Sequence, residues 1–148
     1  MTDSGKMIEV LFVEDDLRLH DDPKVDTLQE KGDMKVSIAR SGPEALEYLR
    51  TGLPDIVVLD IMMAPGADLP EDEVKNGYET GFALLRKMRR ELKLHIPVIV
   101  LTAYPKMMSE EERRELKVAE YLSKPVKMTK LAELIRKHVK GGSRDAAR

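Results

Sequence analysis

The sequence predicts a doubly wound α/β domain, a five-stranded parallel sheet with helices on both faces. Three observations predict it. Short apolar runs alternate with amphipathic segments along the chain, the pattern of a parallel sheet wrapped by helices. Two of the runs, Asp55–Leu59 (DIVVL) and Pro97–Thr102 (PVIVLT), offer apolar side chains to both faces, as strands buried on both sides require. The chain has 148 residues, 42% of them apolar, enough for one core and one domain.

Each element has its own justification. Met7–Val13 (MIEVLFV) is the first strand. A helix follows over about 24–31. It begins or kinks at Pro23, because an interior Pro forfeits a hydrogen bond, and it stops at Gly32. Met34–Ala39 is a second, shorter strand. Ser41 and Glu44 have capping-box spacing before Ala45, Leu46 and Leu49, which share a helix face ending near Gly52. Asp55–Leu59 is the central strand. Residues 64–76 hold two Pro, one Gly and four acidic residues, and read as a long loop. Phe82, Leu85 and Met88 mark a helix over roughly 78–92, and Pro97–Thr102 the fourth strand. Ser109 and Glu112 repeat the capping spacing before a short charged helix. Glu120–Leu122 is the fifth strand. Met128, Leu131, Leu134, Ile135 and Val139 stripe a final helix that Gly141–Gly142 closes. The domain is therefore expected over 7–140, with a tail at 1–6 and a flexible tail at 141–148.

Composition narrows the chemistry. Cysteine is absent, which excludes disulfides, thiol catalysis and Cys-held metals. The three histidines stand far apart in sequence. No apolar run approaches the ~20 residues of a membrane span, and the first six residues lack the apolar middle of a signal peptide. A cytoplasmic protein is expected. Residues 124–148 carry eight basic and two acidic groups, against a net charge of −2 for the whole chain. With two Phe, four Tyr and no Trp, no basic–aromatic stripe exists for stacking on nucleic acid.

In doubly wound sheets the site lies beyond the C-terminal ends of the strands. There the sequence places Glu14-Asp15-Asp16 after the first strand, Asp60 after the third, Thr102 after the fourth and Lys124-Pro125 after the fifth. Any one acidic residue at a strand end is ordinarily a solvated loop residue; four sites in strand order are not. Clustered carboxylates raise one another's pKa unless neutralised. Mg²⁺ with carboxylate, carbonyl and water ligands does this well. Carboxylate, cation, ammonium and hydroxyl together suit an incoming phosphoryl group.

These residues carry a resemblance. Val13-Glu14-Asp15-Asp16, Leu59-Asp60-Ile61-Met62-Met63, Leu101-Thr102-Ala103 and Tyr121-Leu122-Ser123-Lys124-Pro125 together resemble the receiver domain of two-component response regulators, over about residues 7–140. The resemblance implies a flavodoxin-like fold with strand order 2-1-3-4-5. It implies Asp60 as phospho-acceptor, and Mg²⁺ bound by Asp15, Asp60, the backbone carbonyl of Met62 and, chiefly through water, Glu14. Thr102 would bond the phosphoryl group, Lys124 would ion-pair with it, and the Lys124–Pro125 peptide would be cis. Tyr121 matches the family's aromatic switch position. A sensor histidine kinase or phosphotransfer protein would be the donor, and the fourth helix, fifth strand and fifth helix the output surface, with Lys127, Lys130, Arg136 and Lys137 as its basic residues. The sequence departs from the family pattern at Pro23, at the loop 64–76, at Val118-Ala119 and at Lys127, which replaces a capping Asp.

The chain is thus expected to be a stand-alone receiver that signals through its surface and catalyses only its own Mg²⁺-dependent phosphorylation and dephosphorylation. A haloacid-dehalogenase-like phosphatase also uses a strand-end Asp, but needs a second Asp two positions on, where Met62 stands. A pseudo-receiver, acting as an interaction module without phosphorylation, is the alternative from the binding class.

Overall fold

A computed structural model of the protein describes residues 7–14, 23–61, 80–102 and 108–139. Five strands, β1 (Ile8–Val13), β2 (Met34–Ala39), β3 (Ile56–Asp60), β4 (Val98–Thr102) and β5 (Glu120–Ser123), form one sheet in the order β2-β1-β3-β4-β5. Every pairing is parallel. The helices are α1 (Pro23–Gln29), α2 (Gly42–Thr51), α3 (Thr80–Arg86, continued by a π-helical turn Lys87–Glu91), α4 (Glu110–Glu115) and α5 (Met128–His138). This is the flavodoxin-like order expected. The expected tails 1–6 and 141–148 and the loop 64–76 lie outside the described residues.

Strand alternation explains why the central runs are apolar throughout. Leu11, Val13, Val57, Leu59, Val98 and Val100 face a core closed by α2, α3 and Leu116 at the end of α4. Val10, Phe12, Ile56, Val58, Ile99 and Leu101 face the opposite core, closed by Leu28 of α1 and by Leu131, Leu134 and Ile135 of α5. The two central strands β3 and β4 are buried along their whole length and so hold no solvated side chain.

Several boundaries differ from expectation by a residue or two. Asp55 precedes β3 instead of starting it: its carboxylate accepts from the Glu9 N–H at 2.9 Å. Pro97 precedes β4, and its carbonyl accepts from Val57 N–H. Met7 is 42% exposed and outside β1. The first helix starts at Pro23 and ends at Gln29, earlier than Lys31, where the Gln29 side chain accepts from Val36 N–H at 2.8 Å. Gly32 then takes φ +75°, a turn for which glycine is the default. Ser41 caps α2 by accepting from Glu44 N–H, but the Glu44 carboxylate accepts from the Arg40 N–H, one residue ahead of the cap. At Ser109 and Glu112 the full reciprocal box forms.

The last turn of α3, Lys87–Glu91, is a π-helix. Arg89, within it, donates to the carbonyls of Leu94 and Ile96 in the following loop and of Leu116 and Lys117 at the end of α4, at 2.8–3.2 Å. One guanidinium therefore fastens two helix ends. Lys93 and Lys117 hold positive φ at these two ends, where C-terminal caps need it.

Candidate phosphoryl-acceptor site

Register brings the predicted residues to one edge. Val13 pairs with Leu59, Asp60 with Leu101, and Thr102 with Ser123. Glu14, one residue past β1, continues the ladder by donating its N–H to the Ala39 carbonyl at 3.0 Å. Glu14, Asp60 and Thr102 thus end neighbouring strands, and all three are buried. Lys124 follows β5. Its N–H donates to the Thr102 carbonyl at 2.7 Å, and its Nζ reaches Asp60 Oδ2 at 2.8 Å and Glu14 Oε1 at 3.7 Å. The next peptide, Lys124–Pro125, is cis. Asp15 and Met62 lie outside the described residues.

The central strand delivers Asp60 by close packing. Gly81, in the first turn of α3, donates its N–H to the Ile61 carbonyl at 3.3 Å. A Cβ on Gly81 would collide with Ile61 Cα and the Asp60 carbonyl oxygen. Only glycine lets α3 start against the end of β3.

The electrostatics differ from expectation in one respect. The carboxylates are not left to repel one another until a metal arrives. Two ammonium groups neutralise them: Lys124 as above, and Lys24, whose Nζ is 3.3 Å from Glu14 Oε2. Lys24 was not legible as a site residue. No motif or spacing marks it, and only the packing of α1 against β2 and α5 brings it in.

Glu14 and Asp60 fit a hard divalent cation, since Mg²⁺ is commonly held by one or two carboxylates with water and phosphate oxygens completing its shell. Among the described residues no third carboxylate or imidazole joins them.

Tyr121 is half-buried against the core on the α2–α3 face and pairs in register with Val100. The Arg113 guanidinium lies 4.6 Å from its ring centroid, a cation–π distance. Burial pushes the phenol above its ordinary range, against smaller opposing effects of a hydrogen bond with the Met108 backbone and of Arg113.

The expected basic output surface is smaller than the sequence suggests. Arg136 turns toward β2 and forks onto Asp33 at 2.6 and 3.0 Å. Lys137 pairs with Glu120 at 3.7 Å, and His138 lies 2.7 Å from the same carboxylate. Lys127 and Lys130 stay exposed. Lys127 caps α5 without a side-chain hydrogen bond.

The response regulator receiver domain model matches residues 10–136. The chain is 34% identical over 93 residues to the response regulator PleD of Caulobacter vibrioides, covering 62% of this chain and 18% of PleD. It is 32% identical over 101 residues to the polar-differentiation response regulator DivK of Brucella ovis, covering 68% of this chain and 72% of DivK. The receiver domain of Francisella response regulator 1452 superposes with a TM-score of 0.65 at 27% identity, over 90% of this chain and 97% of that one. The chain spans less than a fifth of PleD.

Proposed function

Since this chain belongs to the response regulator receiver domain family, we propose that it is a phospho-acceptor of two-component signalling, with Asp60 taking the phosphoryl group. The observation that carries this reading is Asp60 itself: a buried carboxylate ending the central strand, 2.8 Å from the Lys124 ammonium. The donor is a sensor histidine kinase or phosphotransfer protein. An Asp60 oxygen attacks phosphorus, the P–N bond to the donor histidine breaks, and the imidazole takes up a proton as it leaves. Lys124 follows the negative charge from the carboxylate to the phosphoryl oxygens, and the Thr102 hydroxyl donates to one of them. Asp60, Asp15 and the Met62 carbonyl, with Glu14 chiefly through water, would hold Mg²⁺, which would supply charge neutralisation on the transferring group.

The protein works as a switch and not as an enzyme on a foreign substrate. Its catalysis is confined to its own phosphorylation and dephosphorylation. Residues 7–140 form the receiver unit and act in the cytoplasm. No helix among the described residues is long and apolar enough to cross a membrane. Phosphorylation draws Thr102 inward and Tyr121 follows, because Val100 and Thr102 alternate onto the face where Tyr121 packs. The altered surface, α4–β5–α5, is read by a protein partner and not by nucleic acid.

Incubation with Mg²⁺ and a small phosphoryl donor, followed by intact mass, tests the reading. The wild type gains one phosphoryl group and Asp60→Asn gains none. No gain in the wild type would leave a phosphorylation-independent interaction module; stoichiometric labelling of Asp60→Asn would move the acceptor elsewhere.

A further inference from the structure

Pro23 and Lys24 open α1, and the proposed chemistry gives neither a role. Pro23 at the first helical position sets the start of the helix, so Lys24 projects from its first turn. Its Nζ lies 3.3 Å from Glu14 Oε2, while Lys124 Nζ lies 3.7 Å from Oε1 of the same carboxylate. Glu14 is therefore held at both oxygens. Its side chain is 3% exposed and that of Lys24 43%, so the ammonium reaches in from solvent onto a buried anion. Glu14, Lys24 and Lys124 also line one cavity of about 390 Å³, floored by Phe12 and Leu101. Lys24 thus stands at the acid pocket and is no remote surface charge.

We infer that Lys24 is the resident counter-cation of this pocket: it occupies Glu14 in the metal-free protein and opposes the binding of a divalent cation there. The inference rests on the reading of the pocket as a Mg²⁺ and phosphoryl site. With both Glu14 oxygens already facing ammonium groups, a divalent cation arriving at this carboxylate is repelled by Lys24 at a few ångströms and binds more tightly once Lys24 has swung away. Lys124 cannot serve as the displaceable partner, because it is also bound to Asp60 at 2.8 Å. Lys24, half in solvent, is rehydrated readily when it leaves. Its departure costs what a partly exposed ion pair contributes, which corresponds to about a two- to fivefold effect on metal affinity.

Calorimetric titration of the intact protein with Mg²⁺ alone tests this. Lys24→Met is expected to bind Mg²⁺ about two- to fivefold more tightly than wild type, on the same ion-pair scale. Lys24→Gln is expected to do the same, Lys24→Arg to stay near wild type, and Lys35→Met, an exposed charge on β2, to change nothing. Equal or weaker Mg²⁺ binding in both Lys24→Met and Lys24→Gln overturns the inference, as does an equal gain in Lys35→Met. Asp60→Asn separates the two readings. If it loses Mg²⁺ binding while the Lys24 variants match wild type, only the counter-cation role fails. If the wild type binds no Mg²⁺, or Asp60→Asn binds it as well as wild type does, the pocket is not the metal site and both readings fail.

Discussion

Lys124 and Asp60, 64 residues apart in sequence, meet at 2.8 Å where two strands of the sheet end. The carboxylate is 5% exposed and the lysine side chain 31%. Removing the ammonium leaves a buried charge without the cation that stood 2.8 Å away, whereas Glu14 keeps Lys24. Lys124→Met is expected to lose about 1–3 kcal/mol of stability. Asp60→Asn in that background is expected to recover part of it, because the uncompensated charge is gone. Urea denaturation of the wild type, both single variants and the double variant reads both effects. A double variant no more stable than Lys124→Met would show that the two groups are not coupled.

Gly81 controls how closely α3 approaches the end of β3. Its missing Cβ is replaced by Ile61 Cα and the Asp60 carbonyl, both backbone atoms that cannot swing aside. Gly81→Ala is expected to destabilise by about 1–3 kcal/mol, the usual cost of overpacking. It is also expected to slow phosphoryl incorporation by shifting Asp60. Stability unchanged on denaturation would mean that the helix start yields freely.

Arg89 satisfies four carbonyls from two chain segments. Arg89→Met strips them of a charged donor and is expected to cost about 2–4 kcal/mol, counting several lost charged hydrogen bonds against partial rehydration. Arg89→Lys is expected to recover little, because a point charge cannot span carbonyls arranged for a planar fork. Thermal melts of the two variants decide this; full recovery by Lys would show that charge alone matters.

Tyr121 supplies a pH test. Burial raises its phenol above the ordinary value of 10.0. A folded pKa raised above the unfolded one means that the stability held by the neutral ring is fully present below about pH 10 and is lost as pH climbs through the folded value. Tyrosinate absorbance of Tyr121→Phe is expected to lack a step on the alkaline side of 10. Arg113→Ala is expected to move that step higher still, because Arg113 favours the phenolate. An alkaline titration identical in wild type and Tyr121→Phe would contradict the burial of this ring.

Much of the molecule was determined by the sequence alone. Apolar runs such as Ile56–Leu59 and Val98–Leu101 carry no alternation because both faces are covered, and that absence is itself local and readable. The same runs count out the strand ends, so Glu14, Asp60, Thr102 and Lys124 were legible as one edge once the sheet was inferred. The tertiary structure decided what long flexible side chains do. Lys24 reaches Glu14, Arg136 reaches Asp33 across 103 residues, and Arg89 reaches the end of α4. A lysine or arginine on a helix has the same sequence context whether it lies in water or spans to another element. Its partner is set by where two independently folded segments come to rest, and that placement leaves no periodic trace in the chain.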